Sequence, residues 1–201
     1  MKRITIISTL LLLAVFFNAG ANDKKAAKFK VNTDKSKVNW VGTKPAGEHN
    51  GFVKLKGGNL EINDGVPVSG TFVIDMKSIV NLDLESETWN TKLVDHLKSE
   101  DFFYVEKHPT ATYTFNKVEA LGNGKYKLMG ELTLKDITKP VTLISTLNLT
   151  GSKLEAKTET VSIDRTQWKV EAMSKTIFSD LKDKYVDDEM QINVELFADA
   201  E

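Results

Sequence analysis

KYKLMGELTLK, from Lys125 to Lys135, places Tyr126, Leu128, Leu132 and Leu134 on one parity and Lys125, Lys127, Glu131, Thr133 and Lys135 on the other. Successive side chains of a strand point to opposite faces, so this spacing predicts a strand with one apolar and one wet face. Strands of that kind belong to antiparallel sheets, because parallel ones are apolar on both faces. Working outward, Val141, Leu143, Leu147 and Leu149 repeat the pattern, with Pro140 at the strand start, where a missing backbone donor costs least. Val68, Phe72, Ile74 and Met76 share one parity around Gly70, and Met190, Ile192, Val194 and Leu196 do so near the end. Turn chemistry separates these runs at Asn63-Asp64-Gly65, Gly122-Asn123-Gly124 and Thr150-Gly151-Ser152. Lys56-Gly57-Gly58-Asn59 reads either as a further turn or as a bulge inside one long strand. About eight strands with short connections and no crossover helix predict an all-β fold, an antiparallel meander that closes as an eight-stranded barrel.

One region breaks the pattern. SIVNLDLESETWNTKLVDHLKS, from Ser78 to Ser99, has Leu93, Val94 and Leu97 at helical spacing, acids early (Glu85, Glu87) and Lys98 late, an order that suits the helix dipole. Beyond it come Phe102-Phe103-Tyr104 and His108-Pro109, then a strand carrying Ala111, Tyr113 and Phe115. The expectation is one helix pressed on the barrel by Leu93, Val94 and Leu97, with Phe102 and Phe103 closing the barrel end. Such a helix either plugs the core or covers a ligand cavity, since a barrel of this size is filled by side chains or holds one small ligand.

The ends and the composition bound the rest. Lys2 and Arg3, the apolar run Ile4–Phe17 and the small residues Ala19 and Ala21 read as a secretory signal peptide over 1–21. A polar leader over 22–30 and one domain over 31–198 follow. Removing Lys2 and Arg3 takes the formal charge from −1 to −3, which points to no nucleic-acid partner. The chain has no cysteine, so a lipid-modified N-terminus, a disulfide framework, thiolate metal sites and cysteine nucleophiles are all excluded. The expected location is the periplasm or the medium.

No constellation for chemistry emerges. His49, His96 and His108 form no H-x-x-x-H or H-x-H pair, and an adjacent acid such as Glu48 would point away from its histidine on a strand. They read as surface or capping residues, with His49 and His96 able to meet a head group at the barrel mouth. There is no G-x-S-x-G, P-loop, dinucleotide fingerprint or calcium loop. Asp164-Arg165 with Trp168 reads as a structural tie, the guanidinium on or beside the indole. The expectation is no enzyme, no catalytic residue, no metal and no cofactor.

HLKSEDFFYVEKHPTATYTF (His96–Phe115) resembles the signature of the YceI-like family, and GELTLKDITKPVTL (Gly130–Leu143) resembles its second motif. EHNGFVKLKGGNL, GTFVIDMKSI and SIDRTQWKV are similar to its other stretches, so the likeness runs from about Phe29 to Leu196. His108 stands where that family often has Tyr or Phe, and Asp136-Ile137 replaces Gly-Val. The resemblance implies an extended, lipocalin-like barrel with one covering helix, exported to the periplasm. It also implies an elongated apolar cavity for an isoprenoid lipid, a polyprenoid or isoprenoid quinone, held for storage or transport. The inward parity of the strands, with the helix and its aromatic exit, then assigns Val53, Leu55, Phe72, Ile74, Met76, Leu97, Phe102, Phe103, Tyr113, Phe115, Leu132 and Leu134 to the ligand. Transient membrane contact and a homodimer are compatible with that reading. The alternative is a filled barrel, a stress-associated interaction protein working through a protein partner.

Overall fold

The computed structural model describes residues 26–201, so the expected signal peptide and its cleavage point lie outside the described residues. In chain order the strands are β1 (Ala27–Val31), β2 (Lys37–Lys44), β3 (Gly47–Asn63), β4 (Val66–Asp75), β5 (Val80–Asn81), β6 (Thr110–Gly122), β7 (Lys125–Leu134), β8 (Ile137–Thr150), β9 (Lys153–Thr158), β10 (Val161–Asp164) and β11 (Glu189–Ala200). One α-helix, α1 (Glu87–Lys98), lies between β5 and β6.

These strands occupy eight positions around a closed antiparallel barrel. β1 and β2 both pair with β3 and with β11, at successive stretches of each, and so form a single interrupted stave. β9 and β10 form another, both against β11. The remaining staves follow as β3, β4, β6, β7, β8 and β11, while β5 is a two-residue addition beside β3. Closure through β9–β11 leaves no long unpaired edge.

Tight turns stand where the sequence placed them: Asp64 and Gly65 have φ 48° and 81°, and Asn123 and Gly124 have φ 52° and 72°; Lys135 and Asp136, with φ 47° and 60°, add a two-residue hairpin of the same kind. Gly57-Gly58 is a bulge and not a turn. The register of β3 on β4 shifts between Leu55 and Gly57, so Leu55 and Leu60 both face inward although their parities differ. A second shift falls between Glu61 and Ile62, which are opposite Ser69 and Pro67. Val68 is the extra residue there, and Pro67 is buried in its place; the single parity expected from Val68 to Met76 is broken by that bulge.

The expected leader also ends early. Ala27–Val31 is a strand, with Phe29 and Val31 buried and Lys28 and Lys30 outside. The lysine density of this stretch masks an alternation that its two barrel neighbours use.

α1 is held differently from the expectation. None of its residues is fully buried. Asn90 Nδ2 donates to Asn81 O at 3.2 Å and to Leu84 O at 3.1 Å, so polar contacts seat the N-terminal half. Leu97 packs on the core, whereas Leu93 lines an outer groove with Trp89, Lys44 and His49. After the helix, Lys135 Nζ donates to Phe102 O at 2.9 Å and to Lys169 O at 2.7 Å, tying the loop to the barrel end; burial lowers the pKa of this lysine.

Candidate functional site

The inward faces do not fill the barrel. Two apolar cavities run along it, and Val38 and Ile74 line both. The first, between β3, β4, β6, β7 and β8, is walled by Leu55, Phe72, Tyr113 and Phe115 of the expected set. The second lies beneath α1 and is walled by Val53, Met76, Leu97, Phe102, Phe103, Leu132 and Leu134. All twelve residues singled out from the sequence line one or the other cavity, and Ile74 lines both.

The cavities have volumes of about 60 and about 130 Å³. A water needs only about 10–15 Å³ of such space, but also two to four polar partners. The walls offer almost none, so the space suits hydrocarbon far better than water.

Most of the few polar groups along the walls are already engaged; Trp40 Nε1, buried at the second cavity, has no hydrogen-bond partner. Tyr113 Oη lies 3.1 Å from both Leu128 O and Val141 O, and burial pushes its pKa up, so it stays a neutral donor to the sheet. Thr158 Oγ1 accepts from Val194 N at 2.8 Å.

Arg165 is the charged exception. It donates from Nε to Asp187 O at 3.0 Å, from Nη1 to Val170 O at 2.6 Å and from Nη2 to Val186 O at 3.0 Å. Its Nη2 also lies 3.7 Å from Asp188 Oδ1. Burial lowers the arginine pKa, and the charges of Asp188, Asp164 and Asp187 oppose that. Burial works to raise Asp188, but hydrogen bonds from Ser174 and Thr176 and the Arg165 charge hold it below the usual carboxylate value. Sequence reading placed this guanidinium on or beside Trp168. It lies instead over Phe102, 5.7 Å from the ring centroid, and Trp168 Nε1 donates separately to Leu132 O at 3.1 Å. Arg165 thus lies in the wall of the second cavity, and the DRTxW stretch is held by two independent ties.

Each of the three histidines lies beside an acid, distant in sequence for His49 and His108 and five residues on for His96. His49 Nδ1 is 2.8 Å from Asp83 Oδ2, and its Nε2 is 3.0 Å from Lys44 Nζ. An ammonium only donates and a carboxylate only accepts, so this geometry puts the imidazole proton on Nδ1. Burial would raise Asp83, yet the Asn50 N–H, His49 and Asn81 bonds lower it overall. His96 Nε2 is 3.4 Å from Asp101, and His108 Nδ1 is 3.0 Å from Asp136. His108 is the departure from a surface reading: its side chain is enclosed, edge-on to the Tyr104 ring at 6.0 Å. Among the described residues no three His, Asp or Glu side chains come together as metal ligands.

Several wall residues were not assigned from sequence. Leu143, Leu147, Val194 and Leu196 in the first cavity, and Met190 and Ile192 in the second, share parities already read as apolar and needed only the same rule. Val38 and Trp40 alternate in the same way along β2. Arg165, Val186 and Asp187 carried no such signal, because irregular backbone brings them to the wall.

A closed antiparallel barrel with an apolar-walled interior defines the class of small-ligand binding barrels. Within that class the chain belongs to the YceI-like family, whose domain matches residues 29–198. It is 31% identical over 153 residues to a UPF0312 protein of Vibrio vulnificus, covering 71% of each chain. Among solved structures it is similar to Burkholderia cenocepacia BcnA, with a TM-score of 0.67 and 25% identity over 83% of this chain and 98% of that one. It shares its fold with a polyisoprenoid binding domain from Saccharophagus degradans, with a TM-score of 0.61 and 16% identity over 88% and 100% of the two chains.

Proposed function

We propose that this protein binds a long apolar lipid of the isoprenoid type, a polyprenoid or an isoprenoid quinone, inside the barrel. It stores or carries that lipid in the periplasm after export and performs no chemistry on it. The observation that carries the reading is the pair of apolar-walled cavities that share Val38 and Ile74, with no unengaged acid or base among the described residues that line them. Contact area is enough for such cargo: each buried CH₂ is worth roughly 0.8 kcal/mol, so about twenty give roughly 16 kcal/mol before the costs of immobilisation. The polyisoprenoid binding domain with the same fold supports the ligand class.

Organic extraction of the protein purified from its own host, followed by mass spectrometry, tests this. A polyprenoid or quinone near one per chain is the expected result. An extract free of lipid, together with failure of the protein to take up a polyprenol added in detergent, refutes it and turns the cavities into packing defects of an interaction protein.

A further inference from the structure

The barrel end at the β2–β3 hairpin carries exposed apolar side chains on two unconnected segments. On one side, Leu82 and Trp89 are 63% and 61% exposed. On the other, Ile177 and Phe178 are 46% and 47% exposed. Both segments are fastened to the last rungs of the same hairpin, where Val41, Gly42 and Thr43 face Asn50, His49 and Glu48. Leu82 N donates to Asn50 O at 2.9 Å, and the Asp83 carboxylate accepts from Asn50 N at 2.8 Å. Across the hairpin, Asp187 N donates to Thr43 O at 2.9 Å and Thr43 Oγ1 to Asp187 Oδ2 at 2.8 Å; Lys175 pairs with Asp187 as well. Between these two protrusions the second cavity has Val41, Gly42, Val186 and Asp187 in its wall.

An apolar point on each side of a cavity end is costly in water unless something covers both. The side-chain types say what. Trp89 lies under Lys92 Nζ, 4.5 Å from the ring centroid, an indole with a cation at its face and an apolar groove of Leu84 and Leu93 beside it. Trp with Lys is the combination that suits the head-group layer of a bilayer, where the ring sits at the boundary and the ammonium stays wet. Charge points away from an anionic surface: acids outnumber lysines both in 82–101 and in 171–188.

We propose that this end of the barrel docks on a zwitterionic lipid bilayer through Leu82, Trp89, Ile177 and Phe178, held by apolar contact and not by charge. The proposal extends the lipid-carrier reading and rests on it for its purpose: the cavity end would face the phase in which its cargo dissolves. The docking itself needs no cargo, which keeps the two separable.

Trp168 is 2% exposed and Trp40 is half-buried, so Trp89 is the tryptophan whose emission reports docking. With phosphatidylcholine vesicles the emission moves to the blue, the protein pellets with the vesicles, and high salt leaves both unchanged. Adding phosphatidylglycerol weakens the partition. The double variant Ile177→Ser/Phe178→Ser, whose side chains line neither cavity, lowers the partition at least about tenfold while its extractable lipid is unchanged. Equal partition of variant and parent refutes the docking surface. So does a parent that ignores vesicles, or one that instead forms a dimer lost in the same variant. Vesicle binding by a protein that never carries lipid would leave the docking in place and refute the carrier reading alone.

Discussion

Replacing Arg165 by Met isolates the tie that closes the lower cavity. Arg165 is 3% exposed, and its five N–H donors reach three backbone carbonyls, of Val170, Val186 and Asp187, with Asp188 beside them. Methionine keeps most of the length and volume of the side chain and the contact with Phe102, so little of the loss is packing. Each buried acceptor left without a donor costs about 1–3 kcal/mol, and removing one partner of a buried ion pair costs about 3–5 kcal/mol. These overlap, because all pass through one guanidinium, so the expected loss is about 3–5 kcal/mol and not their sum. Arg165→Lys restores the charge, but a single ammonium cannot span three carbonyls in different directions, and it should recover less than half. Urea unfolding followed by tryptophan emission measures both, with limited proteolysis reporting whether 171–188 is cut first in Arg165→Met. A loss below about 1 kcal/mol would refute the reasoning, since it would mean the carbonyls are satisfied by water and the guanidinium is an exposed group in effect.

Three further outcomes are expected. Phe115→Asp puts a carboxylate at a position 1% exposed and should abolish lipid retention, whether the barrel folds empty or unfolds; Lys127→Ser, which only breaks a 3.5 Å surface pair with Glu119, should leave lipid content as it is, and equal retention in the two by extraction would refute the placement. Gly51→Ala would bring a Cβ to 1.9 Å from Val80 O and 2.7 Å from the Trp40 ring, so a loss of about 1–3 kcal/mol in thermal or urea unfolding is expected, with β5 and α1 loosened first in hydrogen exchange. Asp83, Asp187 and Asp188 all sit below the ordinary carboxylate value of 3.8 in the folded chain. The stability they add is therefore complete above that value and is lost as the pH falls through their lower folded-state values; the acid limb of unfolding should be shallower in Arg165→Met, because the guanidinium contributes to the lowering at Asp187 and Asp188.

Parity made most of the barrel legible before any coordinates. Tyr126, Leu128, Leu132 and Leu134 point inward as read from β7, and the hairpins at Asp64-Gly65 and Asn123-Gly124 stand where their residues demanded positive φ. Where two strands disagree about length, Gly57-Gly58 offered the first bulge, at Lys56, as one of two readings. The reading failed at Val68, the other residue too many for its partner, which only the pairing of β3 with β4 reveals. It failed too at Ala27–Val31, where lysines on the wet face outweighed two buried side chains.

What the sequence by itself determined is thus the set of side chains that face inward, and with them the apolar character of the interior. Alternation is a property of neighbouring residues, and turns are decided by two or three φ angles, so both are written locally. Tertiary structure alone decided that the interior stays partly empty, that Arg165 lies over Phe102 and not Trp168, and that Leu82 and Phe178 flank one end of the barrel. Each depends on how far bulges and closure carry one strand along another, and on loops whose ends meet across most of the chain. Those distances are set by the whole barrel at once, and no short stretch of residues contains them.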